Sequence, residues 1–526
     1  MAADYDTEVL IVGAGPVGLV LAIDLGQRGI RCTLIERKPA PQFLPKMERC
    51  NARTMEIFRR MGIVERVRAA GLRADCPMDV FIIEAMNRAP LLHLPYPSVD
   101  EARRRIAACN DGSMPLEPYQ LISQYTLEPL LKSIAESLPS VTVRFGHEFI
   151  SFEQDANGVT TRVRSEGKDH RLTSKYLVGC DGGSSAVRRQ LGIKLEGEAN
   201  ILKLRQALYR CDELFERIPL QDGPGHGRHY HVADDKATFL IMQDSTRHWT
   251  LHATVDEDAA MARQFEKTIG VPVKYEMLYV GEWRMNLLLA DRYGEGRVFL
   301  AGDAIHLVIP TGGLGMNGGV GDAIDLGWKL AAQLRGWGGP RLLASYEIER
   351  RQVGERNVAA SRYASQGRRK WRSMHQAPRE ELIAVAAIEQ PKSNEMIGAE
   401  LGYRYEDSPL ICNEPGGPEH RFREYVPTTW PGARLPHVWL AGQVAMQDRI
   451  GDGYTLLRLG ENKEGETLKA SFARYNAPFA VLDVPDDVAR DVYGYDLILV
   501  RPDLHIVWRG NRLPHADLAA IATGHA

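Results

Sequence analysis

The chain has 526 residues, 44% of them hydrophobic and 25% charged, with a formal net charge of -3. That length exceeds one compact core, so roughly two to four domains are expected, and the charge gives no reason to expect a nucleic-acid or acidic-membrane partner. The seven cysteines are scattered, without a CxxC pair, which argues against a disulfide framework or a cysteine-built zinc site and fits a reducing compartment.

The start, MAADYDTEVLIVGAG, is acidic ahead of its first apolar run and is not a signal peptide. No apolar stretch of about 18 residues is free of charge, and the expectation is a soluble cytoplasmic protein with no membrane partner. TEVLIVGAGPVGLVLAIDLGQRGIRCTLIERKP then reads as strand, helix, strand. Gly13, Gly15 and Gly18 stand between the first strand and the helix in GxGxxG order. The first glycine allows a tight turn, the second lets a pyrophosphate approach, and the third lets helix and strand pack. Glu36, closing the second strand, can accept from a ribose hydroxyl and repels a 2′-phosphate, so NAD or FAD is expected there. Arg37 beside it is assigned to the same site.

KYLVGCDGGSSAVRRQLGI places Asp181 and Gly182 directly after another apolar strand. HGRHYHV offers His226, His229 and His231, read as a polar loop entering a strand because no carboxylate or cysteine completes a metal set. ATFLIMQ and HWTLHATV alternate, with Trp249, Leu251, Ala253 and Val255 on one face and His248, Thr250, His252 and Thr254 on the other. Such a sheet can roof a cavity, and Tyr230, His252 and Arg284 are its pocket candidates.

GRVFLAGDAIH repeats the strand-then-turn form and ends in Gly302 and Asp303, where a carboxylate can accept from ribitol or ribose hydroxyls. Gly312, Gly313, Gly315, Gly318 and Gly319 follow, which implies close approach to the backbone at a helix entrance. The helix expected from about 315 to 334 buries Val320, Ala323, Ile324, Gly327, Trp328, Ala331 and Leu334, leaving Asp322, Asp325 and Lys329 off that face. A long charged helix comes next, and GRRKWR at 367 to 372 reads as its solvated end. After a stretch rich in proline, glycine and acid, short strands return in HVWLA, YTLLRLG, FAVLDV and YDLILVRPDLHIVWRG, the last a hairpin turning at RPD.

GxGxxG at the start, CDG near 180 and GD…P…GGxGxN near 302 together resemble the class A flavoprotein aromatic monooxygenases, of the phenol hydroxylase and p-hydroxybenzoate hydroxylase type. The resemblance covers about residues 7 to 365. It implies an α/β fold: a Rossmann-like FAD domain (1–75, 105–185 and 285–372) with an inserted β-sheet substrate domain (76–104 and 186–284). The last third resembles the thioredoxin-like C-terminal domain of phenol and aromatic polyketide hydroxylases, here a linker plus domain over 373–526. No cysteine follows Cys412, so that domain cannot exchange disulfides.

By the same resemblance Asp303 binds ribitol, Pro310 borders the reactive face of the flavin, and Gly313, Leu314, Gly315, Met316 and Asn317 bring N–H groups to its N1–C2 edge. Asp181 and Gly182 would serve FAD and a transient NADPH or NADH, Gln124 would lie near the FAD sugar and flavin, and Arg53 beside the cofactor. Glu48 falls near a carboxylate that relatives place at the substrate, with a solvated surface position as the alternative. Ile305 departs from the small residue usual before the histidine. The implied reaction is hydroxylation of a phenolic ring with O₂ through a flavin C4a-hydroperoxide, by an enzyme that is a homodimer. A reductase or dehydrogenase of the same fold, without oxygen insertion, is the alternative.

Overall fold

In the computed structural model of this chain, residues 5–221, 226–460 and 464–526 are described. Thr7–Val12 forms the central strand of the first sheet, with Val9, Leu10 and Ile11 fully buried. Cys32–Glu36 and Lys168–Gly179 flank it in parallel, and Val141–Phe145 and Val298–Leu300 extend the two sides, also in parallel. Strands covered on both faces carry near-continuous apolar runs, which is why these segments do not alternate. A meander, Glu148–Gln154 and Val159–Ser165, joins through the first half of Lys168–Gly179. Helices Pro16–Gln27, Gln124–Glu136 and Gly315–Leu334 share one core with this sheet, in which Leu21, Leu131 and Leu326 join Leu34 and Val178.

The register of this sheet decides where the chemistry collects. Val12 pairs with Gly179, and Gly179 pairs with Leu300. Gly13, Asp181 and Asp303 therefore leave three adjacent strands at one level, along the carboxyl edge where open α/β sheets bind ligands.

The second sheet is mostly antiparallel, running from Glu276–Ala290 through Leu195–Arg210, His248–Ala253, Phe239–Met242 and His229–Val232 to Val80–Ile83. The predicted alternation holds: Trp249, Leu251 and Ala253 join Leu240, Met261, Phe265 and Ile269 in a second core, with Asp258–Ile269 covering that face. Thr250 and His252 point the other way, into a cavity.

The last third builds a four-stranded sheet in the order Phe479–Asp483, Tyr454–Arg458, Leu497–Val500, Ile506–Gly510, with the first pair parallel and the others antiparallel. Helices sit on both faces: Phe472, Leu518 and Ala522 meet Leu456 and Leu499, while Ala489 and Tyr493 meet Leu457 and Ile498. The hairpin turns at Arg501–Asp503 as the sequence predicts. No described helix is long and apolar enough to cross a membrane.

Two expectations fail. Asp322, Asp325 and Lys329, placed off the buried face, are 1%, 1% and 0% exposed. Helix Pro340–Arg372 and the Arg501–Asp503 turn pack over that face and bring charges of their own. Lys329 Nζ lies 2.7 Å from Asp325 and 2.6 Å from Glu349, and Arg501 pairs with Glu349, Asp325 and Asp503 at 2.5, 3.1 and 2.6 Å. Nor is the GRRKWR end solvated throughout: Trp371 is wholly buried with Leu382 and Ala386, because helix Arg379–Glu389 folds back over it.

Candidate active site

A cavity of about 700 Å³ opens where the carboxyl edge of the first sheet meets the second. It has the size and the mixed lining of a cofactor and small-molecule site.

At the first-sheet end the lining is built for a dinucleotide. Gly13 turns at φ +108, and a Cβ there would sit 2.4 Å from the Cys180 carbonyl oxygen, so no other residue fits. A Cβ on Gly15 would meet nothing within 4 Å, so the backbone is open to the cavity. Helix Pro16–Gln27 starts immediately after it with proline in its first turn and no side-chain cap, leaving its first N–H groups free for an anion. Glu36 is held in place by the N–H groups of Ala14 (3.1 Å) and Lys38 (3.0 Å). Asp181 accepts from the Ala186 N–H through Oδ2 at 2.6 Å, while its Oδ1 is buried without a partner at the cavity wall. Asp303 also lines the wall, its side chain open to the cavity. An orphaned carboxylate oxygen, an open helix N-terminus and a glycine cradle are the groups that FAD hydroxyls and phosphates require, so these residues fit that cofactor.

The glycine run after Asp303 divides its labour. Gly312 and Gly313 adopt φ +95 and +68 to turn the chain, and the Gly313 N–H donates to the Pro310 carbonyl at 2.9 Å. Gly318 and Gly319 instead face protein: Cβ atoms there would lie 2.8 Å from Asn357 and 2.5 Å from Val17. Asn317 spends its amide on the loop itself, donating to the Gly313 carbonyl at 2.7 Å and accepting from the Asn51 N–H at 2.9 Å.

The second-sheet end is a chamber of rings and cations. Phe239 stacks on His252 with centroids 4.4 Å apart and 2° between planes, and His252 meets Trp283 edge-on at 6.1 Å. Arg368, from the long helix, lies over the Phe239 ring at 5.3 Å. Glu48 enters from the other side, with His229 Nε2 3.2 Å and Arg228 Nε 3.9 Å away. Burial alone would raise the Glu48 carboxyl, but His229 and Arg228 outweigh it and hold it well below the carboxylate range. Burial lowers His229 to about 4 and His252 to about 3, so both are neutral at pH 7.

Of the expected site residues, the cavity gathers Gly13, Gly15, Glu36, Arg37, Gln124, Asp181, Gly182, Asp303, Pro310, Gly313, Gly315, Met316 and Asn317, with Glu48 and His252 in the chamber. Glu48 is thus not on solvated surface. Arg284 reaches only the rim, with 58% of its side chain exposed and its guanidinium on Glu282. Gly18, Gly302 and Leu314 stand behind the wall, where a Gly18 Cβ would strike the Gly13 carbonyl and a Gly302 Cβ would meet Val17.

Two residues point elsewhere. Tyr230 faces the opposite core, stacked on Phe81 at 5.5 Å, because strand alternation gives the cavity to His229. Arg53 turns away to the Asp503 carbonyl at 3.1 Å. From this segment it is Arg49 that reaches the cavity, in a short strand ahead of the helix that carries Arg53, and it donates to the Gly312 carbonyl at 2.6 Å. Sequence reasoning also passed over His229 and Arg368. The signal for Arg368 was its place on the stripe Asn357, Ser361, Ala364 and Trp371, at helical spacing and buried.

Comparison with known proteins agrees with this geometry. A profile described as FAD binding domain matches residues 6–361, and one described as aromatic-ring hydroxylase, C-terminal, matches residues 428–524. The chain is 33% identical to FAD-dependent monooxygenase apdD of Emericella nidulans, over 96% of this chain and 87% of that one. It is 31% identical to aklavinone 12-hydroxylase RdmE of Streptomyces purpurascens, over 99% and 98%. The solved structure of the rebeccamycin biosynthetic enzyme RebC with reduced flavin superposes with a TM-score of 0.88 at 30% identity, covering both chains completely. The chain therefore belongs to the FAD-dependent aromatic-ring hydroxylases, with the FAD-binding domain and the C-terminal domain of that family.

Proposed function

We propose that this monooxygenase takes its electrons from NADPH or NADH and hydroxylates a phenolic ring held between Glu48 and the Phe239–His252–Trp283 wall. The balance is one aromatic C–H, O₂, NAD(P)H and a proton giving the C–OH product, NAD(P)⁺ and water. Bound FAD would carry the two electrons and activate O₂. Gly13, Gly15, Glu36, Asp181 and Asp303 would hold its phosphates and hydroxyls, and Pro310 to Asn317 would face its ring system. Residues 1–75, 105–185 and 285–372 would make the cofactor domain, and 76–104 with 186–284 the substrate domain.

The observation that carries this reading is Glu48, an ionised carboxylate beside a neutral histidine inside a ring-lined chamber. A phenol attacks an oxygen electrophile far better as its proton is drawn away. Glu48 is too acidic to keep that proton, so its role is to accept the phenol hydrogen bond and orient the ring. His229 faces Glu48 through Nε2 at 3.2 Å, and its Nδ1 has no described partner, so the ring can pass the proton on. The apolar wall excludes water from the reacting centre.

Anaerobic reduction of the bound flavin by NADPH and by NADH, with and without phenols, tests the reading together with mass analysis of the aerobic product. One phenol should speed reduction by orders of magnitude and gain one oxygen. Fast reduction indifferent to every phenol, with no oxygenated product, would sink it in favour of a reductase. Glu48→Gln should lower kcat/KM for hydroxylation by about a hundredfold while FAD content stays at the wild-type level. Unchanged kcat/KM would remove Glu48 from the chemistry.

A further inference from the structure

Arg368 is half-buried and stands apart from the buried cations of the fold. Arg434 lies on Glu56, Arg350 on Asp322, and Arg501 on three carboxylates. Arg368 has no ion pair and no hydrogen bond to any described residue, and its Nε is buried without a partner. What it has is the face of Phe239, a place in the cavity wall, Glu48 as a counter-charge beyond ion-pair distance, and Arg228 as a like-charged neighbour. Burial lowers its guanidinium to about 10, still cationic at pH 7. His229 and His252 stay neutral there, so Glu48 alone faces Arg228 and Arg368. A cation taken partly out of water is costly unless closely paired. No described carboxylate is close enough, so a close partner would enter through the cavity that Arg368 faces.

We propose that Arg368 is the anion-binding residue of the substrate chamber, and that the aromatic substrate carries a carboxylate which pairs with it. A guanidinium resting on a ring presents its N–H fork edgewise, the geometry that takes a carboxylate through two parallel hydrogen bonds. The phenolic oxygen of the same substrate then faces Glu48, so the two ends of the ring are read by opposite charges and its orientation is fixed. A neutral ring leaves Arg368 uncompensated, which selects against it. This assignment rests on the phenol-hydroxylating reading of the same chamber.

The test uses the FAD-loaded enzyme and matched probes: 3-hydroxybenzoate against 3-hydroxybenzamide, and 6-hydroxy-2-naphthoate against 6-hydroxy-2-naphthamide. Binding is read from the change in flavin absorbance, and turnover from product mass. Wild type should bind at least one acid about tenfold or more tighter than its amide. Arg368→Gln should erase that preference by weakening the acid and sparing the amide, and Arg368→Lys should restore part of it. FAD content of both variants guards against misfolding. The assignment is overturned if neither acid binds wild type more tightly than its amide, or if Arg368→Gln weakens acid and amide alike. An acid preference that depends on Arg368, without any hydroxylated product, would uphold the anion site and overturn the hydroxylase chemistry. Hydroxylation of amides and acids alike, indifferent to Arg368, would do the reverse.

Discussion

The ring-lined chamber and the charge cluster beneath helix Gly315–Leu334 both lie inside the protein and both carry arginines, yet they are built on opposite terms. In the cluster, every carboxylate has a cation within 3.1 Å: Asp325 and Glu349 share Lys329 and Arg501, and Asp503 holds Arg501. Asp322, one turn earlier, lies 2.8 Å from both His306 and Arg350 and accepts from the Gly302 N–H at 3.2 Å. In the chamber, Glu48 is 3.9 Å from Arg228, and Arg368 has no described carboxylate within ion-pair distance. The cluster joins the flavin-domain helix to the hairpin of the last domain and is complete within the chain. The chamber is incomplete until something enters it. Saturation marks charges that hold the fold, and deficit marks charges that wait for a ligand.

The largest expected consequence of that difference is at Arg501. Arg501→Met removes the cation paired with Asp503 and one of the two shared by Asp325 and Glu349, and should cost about 3–5 kcal/mol, read as a lower midpoint in urea unfolding. A cost under about 1 kcal/mol would mean that the cluster is no stronger than surface pairs, and the comparison would break.

A smaller effect follows from the chamber histidines. His252 has its folded value lowered to about 3, chiefly by burial, against 6.5 when unfolded. Below pH 6.5 the unfolded state therefore binds a proton that the folded state refuses. The stability this group supports is whole above that pH and drains away as pH falls toward 3. Between pH 7 and 5.5 the loss is about 1 kcal/mol for one such histidine. Urea midpoints at the two pH values should show His252→Gln losing that much less than wild type. Equal losses would mean that His252 charges freely inside the chamber.

The smallest effect should be at Arg368. Its removal breaks no close pair, so Arg368→Gln should leave stability within about 0.5 kcal/mol of wild type or raise it slightly. A loss of several kcal/mol in the same unfolding measurement would make Arg368 a structural residue after all.

Much of the cofactor edge could be read from the sequence. A glycine turn able to take a pyrophosphate is local chemistry: Gly13, Gly15 and Gly18 lie within one strand–helix junction, and their spacing states what the backbone must do. The strand ends that bring Asp181 and Asp303 beside that turn were legible too, because buried parallel strands announce themselves as apolar runs. The face of the second sheet followed from a period of two, which put Thr250 and His252 opposite Trp249 and Leu251. The same rule, applied one strand earlier, would have exchanged Tyr230 for His229.

What alternation and spacing cannot report is the fate of a charge. Asp325 and Lys329 look solvent-facing in any helical projection, and only Glu349 from the next helix and Arg501, 176 residues from Asp325, make their burial tolerable. Arg49 and Arg53 are equally plausible in the chain, but one sits in a strand aimed at Gly312 and the other on the helix that follows, turned to the last domain. Arg368 looks like one basic residue among several until helix Arg379–Glu389 folds back over its end of the long helix and the Phe239 strand closes beneath it. The sequence by itself determined the elements, the cofactor-binding turn and the faces of the sheets, because these depend on neighbours within a few residues. Which charges are paired and which are left open to a ligand was decided only by the tertiary structure, since the energy of a buried charge depends on partners that the chain order does not bring near.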